Sequence, residues 1–154
     1  MTNEKAVFSA LEELEQPIAP EQLTILRNQL KSEEPDPTPQ TKFNYAWGLL
    51  KTPSKKGQKE GMQILTYLYK DVPEMRRECL YYLCLGSYQL GDYSNARRYV
   101  DTLLKAEPEN TQAKALKHSI EEKITRDGLI GLGIAGGVLA VGVGLIGALA
   151  RRKR

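Results

Sequence analysis

The chain has little of what covalent or metal frameworks are built from. Among its 154 residues there are two cysteines, Cys79 and Cys84, and one histidine, His118. Two cysteines with no histidine near them in sequence do not make a zinc site. A disulfide scaffold is excluded at this count and length. Set five positions apart on a helix, the two thiols point about 140° away from each other and read as small packing residues. His118 lies in the polar stretch Lys117-His118-Ser119 and reads as a solvated side chain, not a catalyst. Strand-like alternation is missing throughout, so no Gly-rich phosphate loop following a strand is expected. The pairs Glu12-Glu13 and Glu121-Glu122 look like solvated helix faces, as does the cluster Arg76, Arg77, Arg97 and Arg98. No catalytic group, cofactor or metal is therefore expected.

One stretch lacks charge altogether. Residues 128–150 read GLIGLGIAGGVLAVGVGLIGALA, followed by Arg151, Arg152, Lys153 and Arg154. As a helix this stretch reaches roughly 35 Å, enough for a hydrocarbon core of about 30 Å. With only the basic tail 151–154 after it, insertion must follow synthesis, which is the tail-anchored arrangement. Residues 1–127 then face the cytosol. The N-terminus lacks an apolar run and is acidic, so neither a secretory signal nor an Arg-rich transit peptide is expected. A Gly/Ala-rich span with a basic end suits the outer mitochondrial or the peroxisomal membrane. Gly136, Ala140, Gly144 and Ala148 recur every four residues and form a smooth ridge through which two copies could associate. The net charge is +3, and the basic tail more than accounts for it, leaving −1 on residues 1–127. That balance argues against a nucleic-acid partner, which needs a basic face on the folded part.

The remainder reads as helical. Residues 1–16 form an arm whose Val7, Leu11 and Leu14 make one apolar stripe. So short a helix must dock on something or stay mobile. Pro17 and Pro20 end it and start a helix at 20–32 that buries Leu23, Leu26 and Leu30. The proline-rich stretch 32–40 reads as a loop. Helices are expected at 41–51 and 59–70, joined by a turn at 52–57, and at 76–90 and 93–106, joined by Gly91-Asp92-Tyr93. A last helix, capped by Asn110, runs to Arg126 and buries Ala113, Leu116 and Ile120.

The two hairpins repeat. Gly61 and Ala96 are 35 apart, as are Pro73 and Pro108, close to the tetratricopeptide (TPR) period of about 34 residues. Cys84, Gly61 and Ala96 are small where paired helices must approach closely. The fold class is therefore all-α: two tandem TPR-like hairpins flanked by capping helices in a domain at 17–127, plus one transmembrane helix. Two repeats are fewer than the three usually needed for a continuous core, so helices 20–32 and 110–126 should act as caps. The first helix of each unit should line a concave groove. Tyr81, Leu85 and Tyr88 fall on one face, and Tyr45 and Leu49 match Tyr81 and Leu85. This groove would accept an amphipathic helix or an extended segment. The arm could cover it, as an autoinhibitor or as part of the binding surface.

The run Phe43-Asn44-Tyr45-Ala46-Trp47-Gly48-Leu49, the block Arg76-Arg77-Glu78-Cys79-Leu80-Tyr81-Tyr82-Leu83 and the run Gly91-Asp92-Tyr93-Ser94-Asn95-Ala96-Arg97-Arg98-Tyr99-Val100 closely resemble the mitochondrial fission 1 protein family, in its fungal branch. The resemblance extends from the arm to the basic tail. It implies a cytosol-facing TPR-like bundle anchored in the outer mitochondrial membrane and in peroxisomes. It further implies recruitment of a dynamin-related GTPase through WD-repeat adaptor proteins whose helical segment sits in the groove, with no activity of the protein's own. Two other readings stand beside it: a TPR-type receptor for targeting peptides in protein import, and a membrane-remodelling protein acting through its span.

Overall fold

The computed structural model describes residue 12 and residues 14–134, with side chains placed as far as residue 128. Among them the secondary structure is helical throughout: α1 (Pro20–Ser32), α2 (Pro39–Leu50), α3 (Lys55–Asp71), a 3-10 turn (Pro73–Met75), α4 (Arg76–Gln89), α5 (Tyr93–Ala106) and α6 (Thr111–Ile134). The chain divides into two units, 1–120 and 121–154. The first holds the helical hairpins α2–α3 and α4–α5, with α1 and the first turns of α6 beside them. Of the second, residues 121–134 are helical.

Local chemistry places the helix ends. The Thr38 hydroxyl accepts from the Thr41 amide, and Pro39 takes the first helical position, where a missing N–H costs nothing. Helix α2 therefore starts inside the stretch expected to be a loop. The Ser54 hydroxyl accepts from the Gly57 amide, so α3 starts four residues earlier than expected and absorbs Gly57. Gly91, at φ 79°, turns the chain between α4 and α5 in a conformation that suits glycine. Asp92 caps α5 through the Asn95 amide, and Asn110 caps α6 through the Ala113 amide, as its sequence position suggests.

The core is aliphatic. Leu50, Leu65, Leu68, Leu83, Leu85, Val100, Leu116 and Ile120 are all below 2% exposed, and burying each is worth about 1.5–3 kcal/mol. Small residues set the helix spacing. A Cβ on Gly61 would stand 2.8 Å from the Ala46 carbonyl oxygen, so only glycine lets α2 and α3 approach this closely. The Cys84 thiol donates to the Ala96 carbonyl at 3.3 Å across the α4–α5 contact.

Helix α1 departs from expectation. Leu23, Leu26 and Leu30 are half-buried, and no residue of the helix is buried. The reason is its edge position: α1 packs chiefly on α2, where Leu26, Leu23 and Ile18 crowd the open side of Gly48. It is also tied down through Glu33. One carboxylate oxygen accepts from the Thr38 amide at 2.9 Å. The other accepts from Thr41 Oγ1 at 2.7 Å and Gln29 Nε2 at 2.6 Å. These donors, the Thr38 amide first, hold the carboxyl down to about 2 from its usual 4.5.

Candidate functional site

The residues expected to line one groove differ in exposure. Leu49 is 3% exposed and lies in the α2–α3 seam against Gly61. Leu85, at 1%, belongs to the core of α4, half of whose residues are buried because α3 and α5 both pack on it. Tyr45, at 7%, turns toward α1 and α3: Arg27 lies over its ring at 6.0 Å, and the ring lines a cleft with Ile64 and Tyr67. Leu49, Leu85 and Tyr45 are therefore buried in this structure. Tyr81 and Tyr88 are half-buried and reachable from outside. A helix packed on two sides buries more of its circumference than one apolar face.

A different set of side chains meets around Tyr81. The Phe43 ring of α2 meets the Tyr82 ring of α4 edge-on, with centroids 5.6 Å apart. Tyr82 in turn meets Tyr81 edge-on at 5.4 Å. The Tyr81 hydroxyl accepts from Gln112 Nε2 of α6 at 2.6 Å. The result is a half-buried row, Phe43–Tyr82–Tyr81–Gln112, crossing three helices. In chain order α2 and α4 open the two hairpins, and α6 follows them. The edge-to-face geometry suits the ring quadrupoles and holds the aromatic surface rigid. Sequence reasoning missed Phe43, Tyr82 and Gln112. The signal available for Phe43 is its i, i+4 spacing with Trp47, which is half-buried beneath Lys51 Nζ at 4.6 Å.

Nearer the end of α4, Tyr88 meets Tyr93 edge-on at 5.4 Å. Next to it, Gln89 Nε2 donates to the Leu14 carbonyl at 3.2 Å, and Leu14 is 2% exposed. The buried Gln89 Oε1 has no hydrogen-bond partner among the described residues. Beyond Leu14, the Ile18 amide donates to the Lys51 carbonyl at 3.0 Å and guides the chain into α1. The other arm positions, Val7 and Leu11, lie outside the described residues, as does the ridge of Gly136, Ala140, Gly144 and Ala148. Among the described residues no helix is long and apolar enough to cross a membrane.

The chemistry on offer is adhesive. Burial, foremost, pushes the Cys79 thiol up to about 11 and the Cys84 thiol to about 12, so both stay protonated. Among the described residues no group of three or more His, Cys, Asp or Glu side chains could hold a metal. Rigid aromatic surface with a few amide and hydroxyl groups is what peptide-binding sites present.

Two capped hairpins carrying such a row define a protein-binding scaffold of the tetratricopeptide class. Residues 40–72 match the family model described as the Fis1 N-terminal tetratricopeptide repeat, and residues 77–129 match the Fis1 C-terminal tetratricopeptide repeat. The first range coincides with the hairpin α2–α3, and the second covers the hairpin α4–α5 and α6 as far as residue 129. The mitochondrial fission 1 protein of Debaryomyces hansenii is 64% identical over 150 residues, which is 97% of this chain and 98% of that one. The chain belongs to the mitochondrial fission 1 protein family. The crystal structure of yeast Fis1 in complex with an Mdv1 fragment is 49% identical, with a TM-score of 0.73, over 76% of this chain and 93% of that one. Yeast Fis1 complexed with a Caf4 fragment is 51% identical, with a TM-score of 0.57, over 59% of this chain and 94% of that one.

Proposed function

We propose that this protein is a tail-anchored receptor of the outer mitochondrial membrane, and of peroxisomes. Its hairpin domain takes up a helical segment of a WD-repeat adaptor and, through that adaptor, a dynamin-related GTPase that does the mechanical work of fission. The protein contributes placement and affinity, and no reaction of its own. The observation that carries the reading is the Phe43–Tyr82–Tyr81–Gln112 row, in a chain whose relatives crystallise with adaptor fragments. Residues 128–150 serve as the anchor, and the small-residue ridge within them brings copies together.

On this reading the arm is included in the same site, supported by the hydrogen bond from Gln89 Nε2, one residue after Tyr88, to the Leu14 carbonyl. The test uses the full chain in lipid nanodiscs and an adaptor fragment with its coiled coil. Tyr81→Ala with Tyr82→Ala should abolish capture while leaving the helical circular-dichroism signal in place. Undiminished capture by the folded double variant would remove the row from the account. Deleting residues 1–16 then separates the arm's two roles. A tighter complex means the arm competes with the adaptor, and a weaker one means it contributes.

A further inference from the structure

Two of the eight prolines follow a hydroxyl-bearing residue, at Thr38-Pro39 and Thr52-Pro53. A threonine before proline is the minimal substrate of a proline-directed kinase, and the ring biases that threonine toward extended backbone. The structure separates the two positions. Thr52 is half-buried, and its hydroxyl donates to the Leu49 carbonyl at 2.8 Å. A Cβ on Gly57 would stand 2.6 Å from that hydroxyl oxygen, so the α3 backbone crowds it. Thr38 and Pro39 are exposed, and Thr38 is extended at φ −66° and ψ 153°. Thr38 closes the proline-rich connection Pro35-Asp36-Pro37 between α1 and α2.

The Thr38 hydroxyl is also the outer end of an ordered chain of protons. The Glu33 carboxylate only accepts, so its 2.7 Å contact with Thr41 Oγ1 uses the one hydroxyl hydrogen of Thr41. The 2.9 Å contact between Thr41 Oγ1 and Thr38 Oγ1 then needs the hydrogen of Thr38. Thr38 therefore donates to Thr41, and Thr41 donates to Glu33. The Thr38 amide reaches the other carboxylate oxygen at 2.9 Å. Thr38 thus meets the carboxylate that ties α1 to α2 by two routes.

We propose that Thr38 is a phosphorylation site for a proline-directed protein kinase, and that the phosphate opens the Glu33 clasp and loosens the C-terminal end of α1 from α2. In the transfer, Thr38 Oγ1 attacks the γ-phosphorus of magnesium-bound ATP. The Oγ1–P bond forms while the bond from that phosphorus to the oxygen bridging it to the β-phosphorus breaks. ADP leaves, and the hydroxyl proton passes to the carboxylate base of the kinase. The phosphothreonine has no hydrogen to give Thr41, and its oxygens compete with Glu33 for the Thr41 hydroxyl. It also places about two negative charges two hydrogen bonds away from the carboxylate. Even at the dielectric of water, repulsion at that range is worth about tenfold in the closing of α1. Helix α1 responds because none of its own residues is buried. Helix α2 is spared, because a phosphate at its first turn faces the positive end of the helix dipole.

The test treats the full chain in neutral nanodiscs with magnesium ATP and, in turn, a purified mitogen-activated and a purified cyclin-dependent kinase. Mass spectrometry locates the phosphate, and hydrogen exchange reads the amides of α1. Thr38 should be the residue modified. Exchange in the last turn of α1 should rise about tenfold in the phosphorylated protein, with α2 to α5 unchanged. Glu33→Gln removes the charge and keeps the shape of the side chain, so phosphorylating Thr38 in that variant should leave α1 exchange nearly where it was. Labelling of Thr52 in preference to Thr38, or of neither, would overturn the site. A phosphorylated Thr38 without faster exchange in α1, or an equal rise in Glu33→Gln, would overturn the switch. Loss of exchange protection throughout α2 to α5 would mean general unfolding and would equally count against it.

Discussion

The Phe43 ring meets the Tyr82 ring edge-on at 5.6 Å and 77°, and so links the first helix of one hairpin to the first helix of the next. The pair acts on two levels. It adds about 0.5–1.5 kcal/mol to the register of the two hairpins, and it presents a rigid aromatic edge to a partner. Tyr82→Ala should therefore lower stability modestly and adaptor affinity much more, by tenfold or more if the ring is a binding hot spot of about 2 kcal/mol. Calorimetric titration beside a thermal melt reads both numbers. A melt that falls while affinity holds would make Tyr82 purely structural.

Leu85 and Tyr81 should part company under mutation, although one sequence stripe joins them. Leu85 is buried, so Leu85→Ala should cost about 2–5 kcal/mol of stability. Tyr81→Phe removes the acceptor for Gln112 and should cost about 0.5–1.5 kcal/mol. Urea unfolding of the two variants checks the ordering, and equal midpoints would contradict it.

Gly61→Ala should destabilise by about 1–3 kcal/mol, because its new methyl meets the Ala46 carbonyl at 2.8 Å and must push α2 from α3. Gly91→Ala meets no atom within 4 Å and should cost only its φ of 79°, about 1–2 kcal/mol. The two losses have different signatures. The first should also disturb the tyrosine near-ultraviolet signal, whereas the second should not.

Glu33 makes the attachment of α1 acid-sensitive. Its carboxyl is held at about 2 in the folded chain, below the ordinary 4.5. A lowered folded value means the contribution is complete above about pH 4.5 and is lost as pH falls toward 2. Glu33→Gln should flatten the fall in thermal midpoint across that window. A wild type and variant that lose stability in parallel would show that the clasp contributes nothing.

Much of the chain is legible without coordinates. Pro20, Asp92 and Asn110 announce helix starts through their own backbone and side-chain chemistry, and Gly91 announces a turn. Gly61 and Ala96, spaced at the repeat period, announce where paired helices touch. The starts of α2 and α3 are less legible, since Thr38 and Ser54 are unremarkable until their hydroxyls are seen accepting the Thr41 and Gly57 amides.

The sequence by itself determined the helices, the hairpin repeat and the charge-free stretch at 128–150, because each is written in local spacing and composition. Only the tertiary structure decided which side of each helix stays open. Tyr45, Leu49, Tyr81 and Leu85 share a helical phase, yet Tyr45, Leu49 and Leu85 are buried while Tyr81 stays half-exposed beside Tyr82. The phase of a side chain is a property of its own helix, whereas its burial depends on neighbours supplied from elsewhere in the chain.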